Sequence, residues 1–304
     1  MRKLYRPNVR VWAVAFALSC AGVDASAAMA EPEPGTVAAC ASAKATAAVP
    51  AGLPVLDWSE NIGYDAQGNL WVSRLYRNEV QRYDSAGRLT ARVPIEFPGA
   101  IRLGPDGLLY VVFGDSPTSV VRPGGVMRFD PDDPRPAVFA SGFTMPNGAA
   151  FDARGNLYVA SSVGVVRIRP DGGVDADWTA RANYTGANGI VVRDNSIYVS
   201  MNGNPLGRIV RFPIDDPARV VVIADLTLAP GIPDFVDDFV IDDAGVLYAT
   251  TLTGQLVRVD PAANTACAVL TGEPMTSVVA VPGRSDELLA GTESGTILRI
   301  RLPH

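Results

Sequence analysis

The sequence has 304 residues, of which 48% are hydrophobic and 19% are charged. This is enough apolar material for one large domain or two ordinary ones, and it excludes intrinsic disorder. The net charge of −6 argues against a nucleic-acid partner held by phosphate contacts. The one histidine, His304, is the last residue, which argues against a histidine base, a Ser-His-Asp triad or a His-rich zinc site.

The first thirty residues have the order of a secretory signal peptide. Four Lys and Arg residues in Met1 to Arg10 precede an apolar run, Val11 to Val23, and the small-residue site Ala28-Met29-Ala30. The apolar run is too short to span a bilayer. We therefore expect cleavage after Ala30 and a secreted or periplasmic mature protein. Lipoprotein anchoring at Cys20 is a less favoured reading.

Residues 31 to 48 form an Ala-rich segment that we expect to be a flexible leader. It contains Cys40, and the other cysteine of the mature chain is Cys267, in a late predicted strand. An oxidising compartment would allow the two to pair. The sequence alone leaves their pairing open.

A sequence unit recurs six times after the leader. Its first half is Gly-x-Leu-aromatic-small, as in Gly68 to Val72 and Gly155 to Val159, and its second half is apolar-x-Arg-apolar. The arginines of the second half are Arg82, Arg128, Arg167, Arg211, Arg258 and Arg299. The two halves alternate without exception along the chain, so the units are true internal repeats. We interpret the repeated arginines as structural.

Each unit consists of short apolar segments separated by Asp-Gly or Asn/Gly turns, which is typical of β-strands. A period of about forty residues with several strands per unit is the signature of a β-propeller blade. The sequence therefore predicts an all-β, six-bladed β-propeller over residues 49 to 304. The sixth unit lacks its outer strand, and we expect the apolar stretch Val49 to Trp58 to supply it and close the ring.

One position in each unit stands at the start of the predicted innermost strand. These positions are Glu60, Gly99, Asn147, Asn188, Asp237 and Thr276. The pseudo-sixfold symmetry turns equivalent positions into a ring about the axis of the propeller. Five of the six carry side-chain oxygens, which suit Ca²⁺ first, with Mg²⁺ or Mn²⁺ as alternatives. The competing interpretation is that these residues only form turns before strands.

The motifs around this ring resemble those of the gluconolactonase, regucalcin (senescence marker protein) and drug-responsive lactonase family of six-bladed propellers. The resemblance covers about residues 50 to 302. It is carried by Ser59-Glu60-Asn-Ile-Gly-Tyr-Asp65, Pro146-Asn147-Gly-Ala-Ala-Phe-Asp152, Ala187-Asn188-Gly189-Ile190, Val236-Asp237-Asp238-Phe-Val-Ile-Asp242 and Met275-Thr276-Ser277.

The resemblance implies specific roles for the ring residues. Glu60, Asn188 and Asp237 would ligate the metal, and Asn147 would be a further ligand or a substrate contact. Asp237 would also be the catalytic acid/base. Because a ligated carboxylate is a weak base, the neighbouring Asp238 is a second candidate for that role. Thr276, in the sixth unit, is a further candidate substrate contact.

The chain departs from the family pattern at the mouth of the predicted channel. Met145 stands where sugar-lactone members carry an arginine, and Gly148 replaces an acid that often follows Asn147. Asp238 replaces the usual glycine. With Phe143 and Phe235 also near in sequence, we expect a mouth less suited to a sugar acid and more apolar. Met145 is thus a candidate substrate contact.

These features predict an exported, Ca²⁺-dependent hydrolase of a lactone or related cyclic ester. We expect a small-molecule substrate, no nucleic-acid partner, no membrane span and a monomer. Two alternatives remain open at this stage. One is a non-hydrolytic enzyme of a biosynthetic pathway, such as a cyclase, because some relatives form rings. The other is a non-catalytic binding propeller.

Overall fold

The computed structural model describes residues 38–202, 207–227 and 235–303. The expected signal peptide and the first part of the expected leader lie outside these residues. The described chain is built almost entirely from β-strands. Its helical segments are limited to α1, Ala176–Thr179, and two 3-10 turns, Leu75–Arg77 and Pro117–Val120. No helix among the described residues has the length and hydropathy needed to cross a membrane.

The strands of the described residues follow one another in six blades. In chain order they are β1 Ala38–Ala39, β2 Lys44–Val49, β3 Ser59–Tyr64, β4 Leu70–Arg74, β5 Glu79–Tyr83, β6 Leu89–Pro94, β7 Ile101–Leu103, β8 Leu109–Phe113, β9 Gly124–Phe129, β10 Ala137–Phe143, β11 Pro146–Phe151, β12 Leu157–Ser161, β13 Gly164–Ile168, β14 Ala187–Arg193, β15 Ser196–Met201, β16 Arg208–Pro213, β17 Val221–Asp225, β18 Val236–Ile241, β19 Leu247–Thr251, β20 Gln255–Asp260, β21 Thr265–Thr271, β22 Met275–Val281, β23 Arg284–Thr292 and β24 Ile297–Arg301.

Each blade is an antiparallel meander that starts with its innermost strand. The six inner strands are β3, β7, β11, β14, β18 and β22. Blade three has three strands, and α1 with an Ile168–Val174 bridge takes the place of its outer strand. We call the end of the channel where the inner strands begin the mouth, and the opposite end, where they enter the first turn of each blade, the hairpin end. The predicted six-bladed propeller is confirmed.

Five of the six repeated arginines lie opposite an aromatic residue of the neighbouring strand, and the sixth, Arg299, lies opposite Leu289. Arg82 pairs in register with Trp71, and its guanidinium carbon lies 5.7 Å from the Trp71 ring centroid. Arg211 pairs with Tyr198 in the same way, at 5.9 Å. These cross-strand cation–π pairs stabilise the blades, so the structural interpretation of the arginines is confirmed.

The ring is closed by a strand from the amino-terminal side, as predicted, but that strand lies earlier in the chain than Val49 to Trp58. β2 pairs antiparallel with β24, from Lys44 opposite Arg301 to Val49 opposite Ile297. Residues 51 to 57 instead form bends and turns that lead into β3. The prediction relied on apolar content, whereas an outer strand is held by its backbone hydrogen bonds and can be largely exposed.

The expected flexible leader also contributes to the fold. β1 pairs parallel with β21, and Cys40 forms a disulfide with Cys267, with 5.5 Å between their Cα atoms. The propeller therefore includes residues 38 to 48, and the boundary at residue 49 was set too late. The disulfide ties this segment to blade five, while β2 belongs to blade six.

The core consists of apolar layers between successive blades. Leu109 and Val111 of blade two pack with Trp71 and Val80 of blade one, and all four are fully buried. Phe143, expected at the mouth, is 5% exposed and belongs to the layer between blades two and three. The packed blades leave only their loops and the ends of the inner strands to form a site.

Candidate functional site

Five of the six predicted ring residues occupy the second position of their inner strands, where the strand carries a β-bulge, whereas Gly99 lies two residues before β7. In β18, Val236 pairs with Thr251 but Phe239 pairs with Ala249, so the inner strand has one residue more than its partner. The same shift occurs in β3, β11, β14 and β22. A bulge bends the strand and re-aims side chains. This is how Asp237 and Asp238, adjacent in sequence, both reach partners from other blades.

Glycines let the inner strands approach one another closely at the mouth. A Cβ atom on Gly99 would lie 2.9 Å from the Asn147 carbonyl oxygen, and one on Gly189 would lie 2.7 Å from the Asp237 carbonyl oxygen. A Cβ on Gly148 would overlap the Asn188 carbonyl oxygen. No acidic side chain fits at position 148, so the departure from the family pattern there has a steric cause.

Glu60 lies at the centre of one group of polar contacts. Its Oε2 accepts a hydrogen bond of 2.7 Å from Trp58 Nε1, and its Oε1 accepts one of 2.7 Å from Asn147 Nδ2. The same Asn147 Nδ2 donates to Asp115 Oδ2 at 2.8 Å. Glu60 is only 7% exposed. The amide of Asn147 thus places its two N–H groups between two carboxylates.

Asp237 and Asn188 form the opposite part of the ring. Asn188 lies beside the Asp237 carboxyl and lowers its pKa, and the Ser200 hydroxyl donates to the Asp237 carbonyl oxygen. The Oδ1 atom of Asn188 is buried and has no hydrogen-bond partner among the described residues. An orphaned buried acceptor is rare and marks an absent donor or ion.

The pKa values of the ring carboxyls are shifted upward. Burial, followed by the charge of Glu60, raises the pKa of Asp237 well above its ordinary value. The same two causes raise the pKa of Asp115, which accepts a hydrogen bond from the same Asn147 nitrogen as Glu60. Burial raises the pKa of Glu60 despite its hydrogen bond from Trp58. The cluster therefore carries more negative charge than its described surroundings neutralise.

Asp238 has a different environment. Its Oδ2 accepts from Asn61 Nδ2 at 3.3 Å and lies 4.0 Å from Arg102 NH2, and its Oδ1 accepts from the Phe239 backbone N–H at 2.9 Å. Burial raises the pKa of Asp238, while the Arg102 charge lowers it. Arg102 NH1 also donates to Asn61 Oδ1 at 2.8 Å. Asp238 thus has hydrogen-bond and charge partners that Asp237 lacks.

Thr276 and Met145, the remaining predicted substrate contacts, differ in their exposure to solvent. Thr276 is 1% exposed, and its hydroxyl donates to the Ser59 carbonyl oxygen, which links blade six to blade one. Met145 is half-buried at the mouth, with a left-handed φ of 45°. Phe97 and Phe235 occupy the equivalent place two residues before their ring positions, with φ of 42° and 44°. We call these three the apolar collar.

Exposed apolar side chains are concentrated around this mouth. Of the twelve large hydrophobic residues exposed in the described part of the chain, eight lie in loops at the mouth. They are Leu53, Val55, Leu56, Tyr76, Val120, Val121, Val163 and Phe235. An apolar surface rimming a polar cluster is typical of a ligand-binding cleft.

Sequence reasoning missed Asp115, Trp58 and Arg102. Asp115 lies in the loop after β8 and Trp58 in the approach to β3, so neither occupies the repeated ring position. Arg102 lies three residues after the ring position of blade two, where the other blades have Gly63, Ala150, Val191, Val240 and Val279. Its charge among small and apolar equivalents was the one available signal.

The ring residues fit a divalent cation by their chemistry. Glu60 and Asp237 supply carboxylates, and Asn188 supplies the orphaned amide oxygen, a donor set that suits Ca²⁺. Among residues 38–202, 207–227 and 235–303, no three Asp, Glu, His or Cys side chains already stand at the spacing of a metal site. The fit therefore depends on amide oxygens beside the carboxylates.

Comparison with known proteins relates the chain to other propellers by structure. Regucalcin from Agrobacterium tumefaciens, a calcium-binding protein, superposes with a TM-score of 0.67 at 16% identity, covering 88% of this chain and 97% of that one. A gluconolactonase from Xanthomonas campestris gives 0.65 at 18% identity, covering 90% and 99%. Virginiamycin B lyase from Staphylococcus aureus gives 0.58 at 12% identity, covering 86% and 99%.

These similarities show the fold and leave the reaction open, because the matched propellers include both a gluconolactonase and a lyase. No protein-family profile matches the chain, and no curated protein matches it in sequence.

Proposed function

We propose that this protein is an exported, Ca²⁺-dependent hydrolase of a lactone or related cyclic ester with an apolar body. The observation that carries the proposal is the meeting of Glu60, Asn188 and Asp237 at the mouth of the channel, with the Asn188 Oδ1 atom buried and unpartnered. The gluconolactonase and regucalcin structures support it at the level of the fold.

Glu60, Asn188 and Asp237 would hold the cation, with Asn147 as a further ligand or a substrate contact, and Mg²⁺ or Mn²⁺ could take the same oxygen donors. When bound, the cation would act as a Lewis acid on the ring carbonyl of the substrate. The protein positions these ligands through the bulged inner strands and the close backbone approach at Gly189.

Asp237 is the favoured general base for the attacking water. Asn188 is the neighbouring side chain that lowers the pKa of its buried carboxyl, and no cationic side chain does so among its described neighbours. Asp238, by contrast, forms an ion pair with Arg102 and accepts hydrogen bonds from Asn61 and a backbone N–H. We therefore rank Asp238 second and assign to it the positioning of Asn61 and Arg102.

The apolar collar and the exposed apolar loops support a substrate with a hydrocarbon part. Met145 supplies no charged hydrogen-bond donor, so a polyhydroxylated sugar lactone would leave its hydroxyls without a matching partner there. An alkyl- or aryl-substituted γ- or δ-lactone meets the same surface with its apolar face. The Thr276 hydroxyl already donates to the Ser59 carbonyl oxygen of blade one, so Thr276 is a weaker candidate for a substrate contact.

Export and a monomeric state belong to the same proposal. The Cys40–Cys267 disulfide supports export, because disulfides persist in oxidising compartments.

A ring-forming reaction on an apolar substrate is the second candidate. It is favoured by the same apolar collar, and it would use the cation and Asp237 without a water nucleophile. A non-catalytic binding propeller would need neither the cation nor Asp237.

The test is turnover by the mature chain of alkyl-substituted, aryl-fused and sugar lactones, after EDTA treatment and again with added Ca²⁺. We expect Ca²⁺-dependent hydrolysis of the apolar lactones. Asp237→Asn should lower kcat/KM by about 10²–10⁴-fold in saturating Ca²⁺, and Asp243→Asn, an exposed change on the same blade, should not. Absence of metal-dependent hydrolysis across the panel would overturn the hydrolase and leave ring formation or binding to be tested.

A further inference from the structure

Blade two is the blade whose ring position has no side chain. Gly99 stands there, and a Cβ atom at that position would lie 2.9 Å from the Asn147 carbonyl oxygen. No residue larger than glycine fits without displacing the backbone of blade three. Blade two can therefore contribute to the ring only from another place in its sequence.

That place is the loop that follows β8. Asp115 reaches the ring from this loop, and its Oδ2 accepts a hydrogen bond of 2.8 Å from Asn147 Nδ2. The same nitrogen donates to Glu60 Oε1 at 2.7 Å. Asp115 therefore contacts Asn147 of blade three and shares its amide group with Glu60 of blade one.

The backbone of the loop holds Asp115 in this position. Gly114 has a φ of 80°, and a Cβ on it would lie 2.6 Å from the Gly124 Cα atom. The backbone N–H of Asp115 donates to the Phe97 carbonyl oxygen at 3.0 Å, and that of Gly114 donates to the Glu96 carbonyl oxygen at 2.9 Å. The position of the carboxylate is fixed by a turn that requires glycine.

Two carboxyl groups and one amide then face one another, and none of the residues that the structure describes pairs a cationic side chain with either carboxyl. Both N–H groups of Asn147 are used to bridge Glu60 and Asp115. The partial positive charge of an amide is small compensation for two carboxylates, whereas a divalent cation between them would neutralise both. The orphaned Oδ1 of Asn188 is an independent sign that this ring lacks a partner of positive charge.

We propose that Asp115 is a ligand of the cation, so that the site binds through three carboxylates, Glu60, Asp115 and Asp237, together with the Asn188 amide oxygen. The inference rests on the proposed function, because it concerns the same cation. It adds a ligand from a loop outside the repeated motif. A third carboxylate increases affinity for hard divalent and trivalent cations, since affinity follows the charge of the ligands.

The experiment is a titration of the metal-free mature protein with Ca²⁺ by calorimetry and with Tb³⁺ by luminescence. Trp58 donates to Glu60 Oε2 at 2.7 Å, so its indole lies beside the site and should sensitise Tb³⁺ emission. Trp58→Phe should remove most of this emission and so place the bound ion. Asp115→Asn should weaken the affinity for both ions about tenfold or more.

Asp133→Asn is the matched control for the loss of one negative charge. Asp133 is 68% exposed and lies in the β9–β10 turn of the same blade, where it pairs with Arg135. This variant should bind Ca²⁺ and Tb³⁺ as the unmodified protein does. If Asp115→Asn and Asp133→Asn bind both ions equally well, Asp115 is not a ligand, and the ring keeps Glu60, Asn188 and Asp237.

Thermal unfolding separates a ligand from a structural residue. In EDTA, Asp115→Asn should be as stable as the unmodified protein or more stable, because the change removes repulsion with Glu60. In saturating Ca²⁺ it should gain less stability than the unmodified protein. Equal destabilisation under both conditions would overturn the proposal.

The outcomes also separate this inference from the proposed hydrolase. Cation binding that weakens in Asp115→Asn, without turnover of any lactone, would support the ligand and refute the hydrolase. Lactone turnover with unchanged Ca²⁺ affinity in Asp115→Asn would do the reverse. No binding of Ca²⁺ or Tb³⁺ by the unmodified protein would overturn both the ligand and the metal dependence.

Discussion

The two ends of the inner strands differ in how completely their polar groups are satisfied. At the hairpin end, Asp152 Oδ1 accepts from the backbone N–H groups of Arg154 and Asn156 at 2.8 and 2.9 Å, and its Oδ2 accepts from the Tyr158 hydroxyl at 3.0 Å. At the mouth, five residues earlier in the same strand, Asn147 bridges two carboxylates that have no cationic partner among the described residues.

The carboxyl groups at the two ends respond to these surroundings in opposite directions. Although burial alone would raise it, hydrogen bonds from Asn156 and neighbouring groups lower the pKa of Asp152. Burial and the charge of Glu60 raise the pKa of Asp237. The difference teaches that the same repeat serves two purposes. Its hairpin end stabilises each blade, and its mouth holds buried carboxyl groups that have no cationic partner among the described residues.

The largest expected effect is on the stability of the propeller, whose ring is closed by the pairing of β2 with β24. Removing residues 38–49 takes away β1, β2 and the Cys40–Cys267 disulfide, and it leaves β24 as an exposed sheet edge. We expect aggregation, or a loss of more than about 3 kcal/mol in the free energy of unfolding. Size-exclusion chromatography and denaturant unfolding would measure it.

A variant with alanine at Cys40 and Cys267 is the control, since it keeps both strands. It should lose about 2–4 kcal/mol and stay monomeric. If the chain starting at Pro50 were monomeric and as stable as this control, β2 would not be needed to close the ring.

The second prediction tests whether Asp238 is a structural partner of Arg102 or the general base of the proposed reaction. Asp238→Gly restores the residue usual in the family but leaves Arg102, 25% exposed, without its carboxylate. We expect a loss below the about 3–5 kcal/mol typical of fully buried pairs, with the cation still bound. Thermal unfolding and Ca²⁺ titration would measure both.

The double variant Asp238→Gly/Arg102→Leu should recover part of this stability, because it removes the unpaired charge. An Asp238→Gly protein that keeps its stability but loses turnover would make Asp238 the base, against our ranking of Asp237.

The third effect is a pH dependence with opposite signs in the absence and presence of Ca²⁺. The folded, metal-free protein binds more protons than the unfolded chain, because the pKa values of Glu60, Asp115 and Asp237 are raised. The contribution of these three carboxyls to stability should therefore be fully present below the ordinary carboxyl pKa, near 4, and should be lost as the pH rises through the folded values.

Calcium competes with those protons, so the increase in Tm that it causes should be greater at pH 8 than at pH 5. Differential scanning calorimetry at both pH values, with EDTA and with Ca²⁺, would measure it. Asp237→Asn should reduce the difference. A Ca²⁺-induced shift of equal size at both pH values would mean that the ring carboxyls do not take part.

The sequence allowed the hairpin end and the blade count to be predicted because both depend on local chemistry repeated in register. Turns such as Pro170-Asp171-Gly172 and the Arg–aromatic pairs recur in successive units. The ring positions could be predicted for the same reason. Glu60, Asn188 and Asp237 stand at one place in the repeat, and symmetry brings them together.

What escaped prediction depends on contacts between segments that are distant in sequence. Asp115 depends on a turn at Gly114 in the loop after β8, and the bulges, although they recur in five blades, depend on pairing between strands. The closing strand was misplaced because Lys44–Val49 is held by its backbone and is mostly exposed. Tertiary contacts decided each of these features, and no local pattern encoded them.

The smallest effect concerns the strained backbone of the apolar collar. Met145 has a φ of 45°, a conformation that costs a non-glycine residue about 1–2 kcal/mol. Met145→Gly should release this strain and lose some packing of a half-buried side chain, so stability should change by less than about 1 kcal/mol. If Met145 contacts substrate, KM for alkyl lactones should rise several-fold with little change in kcat.

Asn264→Gly is the matched variant at the hairpin end, where Asn264 is exposed and has a φ of 50°. It should change stability by a similarly small amount and leave KM unaltered, because Asn264 lies at the end of the blade opposite to the proposed site. A Met145→Gly protein that loses more than about 2 kcal/mol while its KM stays constant would place Met145 in the core. Strain at the mouth would then be a by-product of packing, and the apolar collar would not select the substrate.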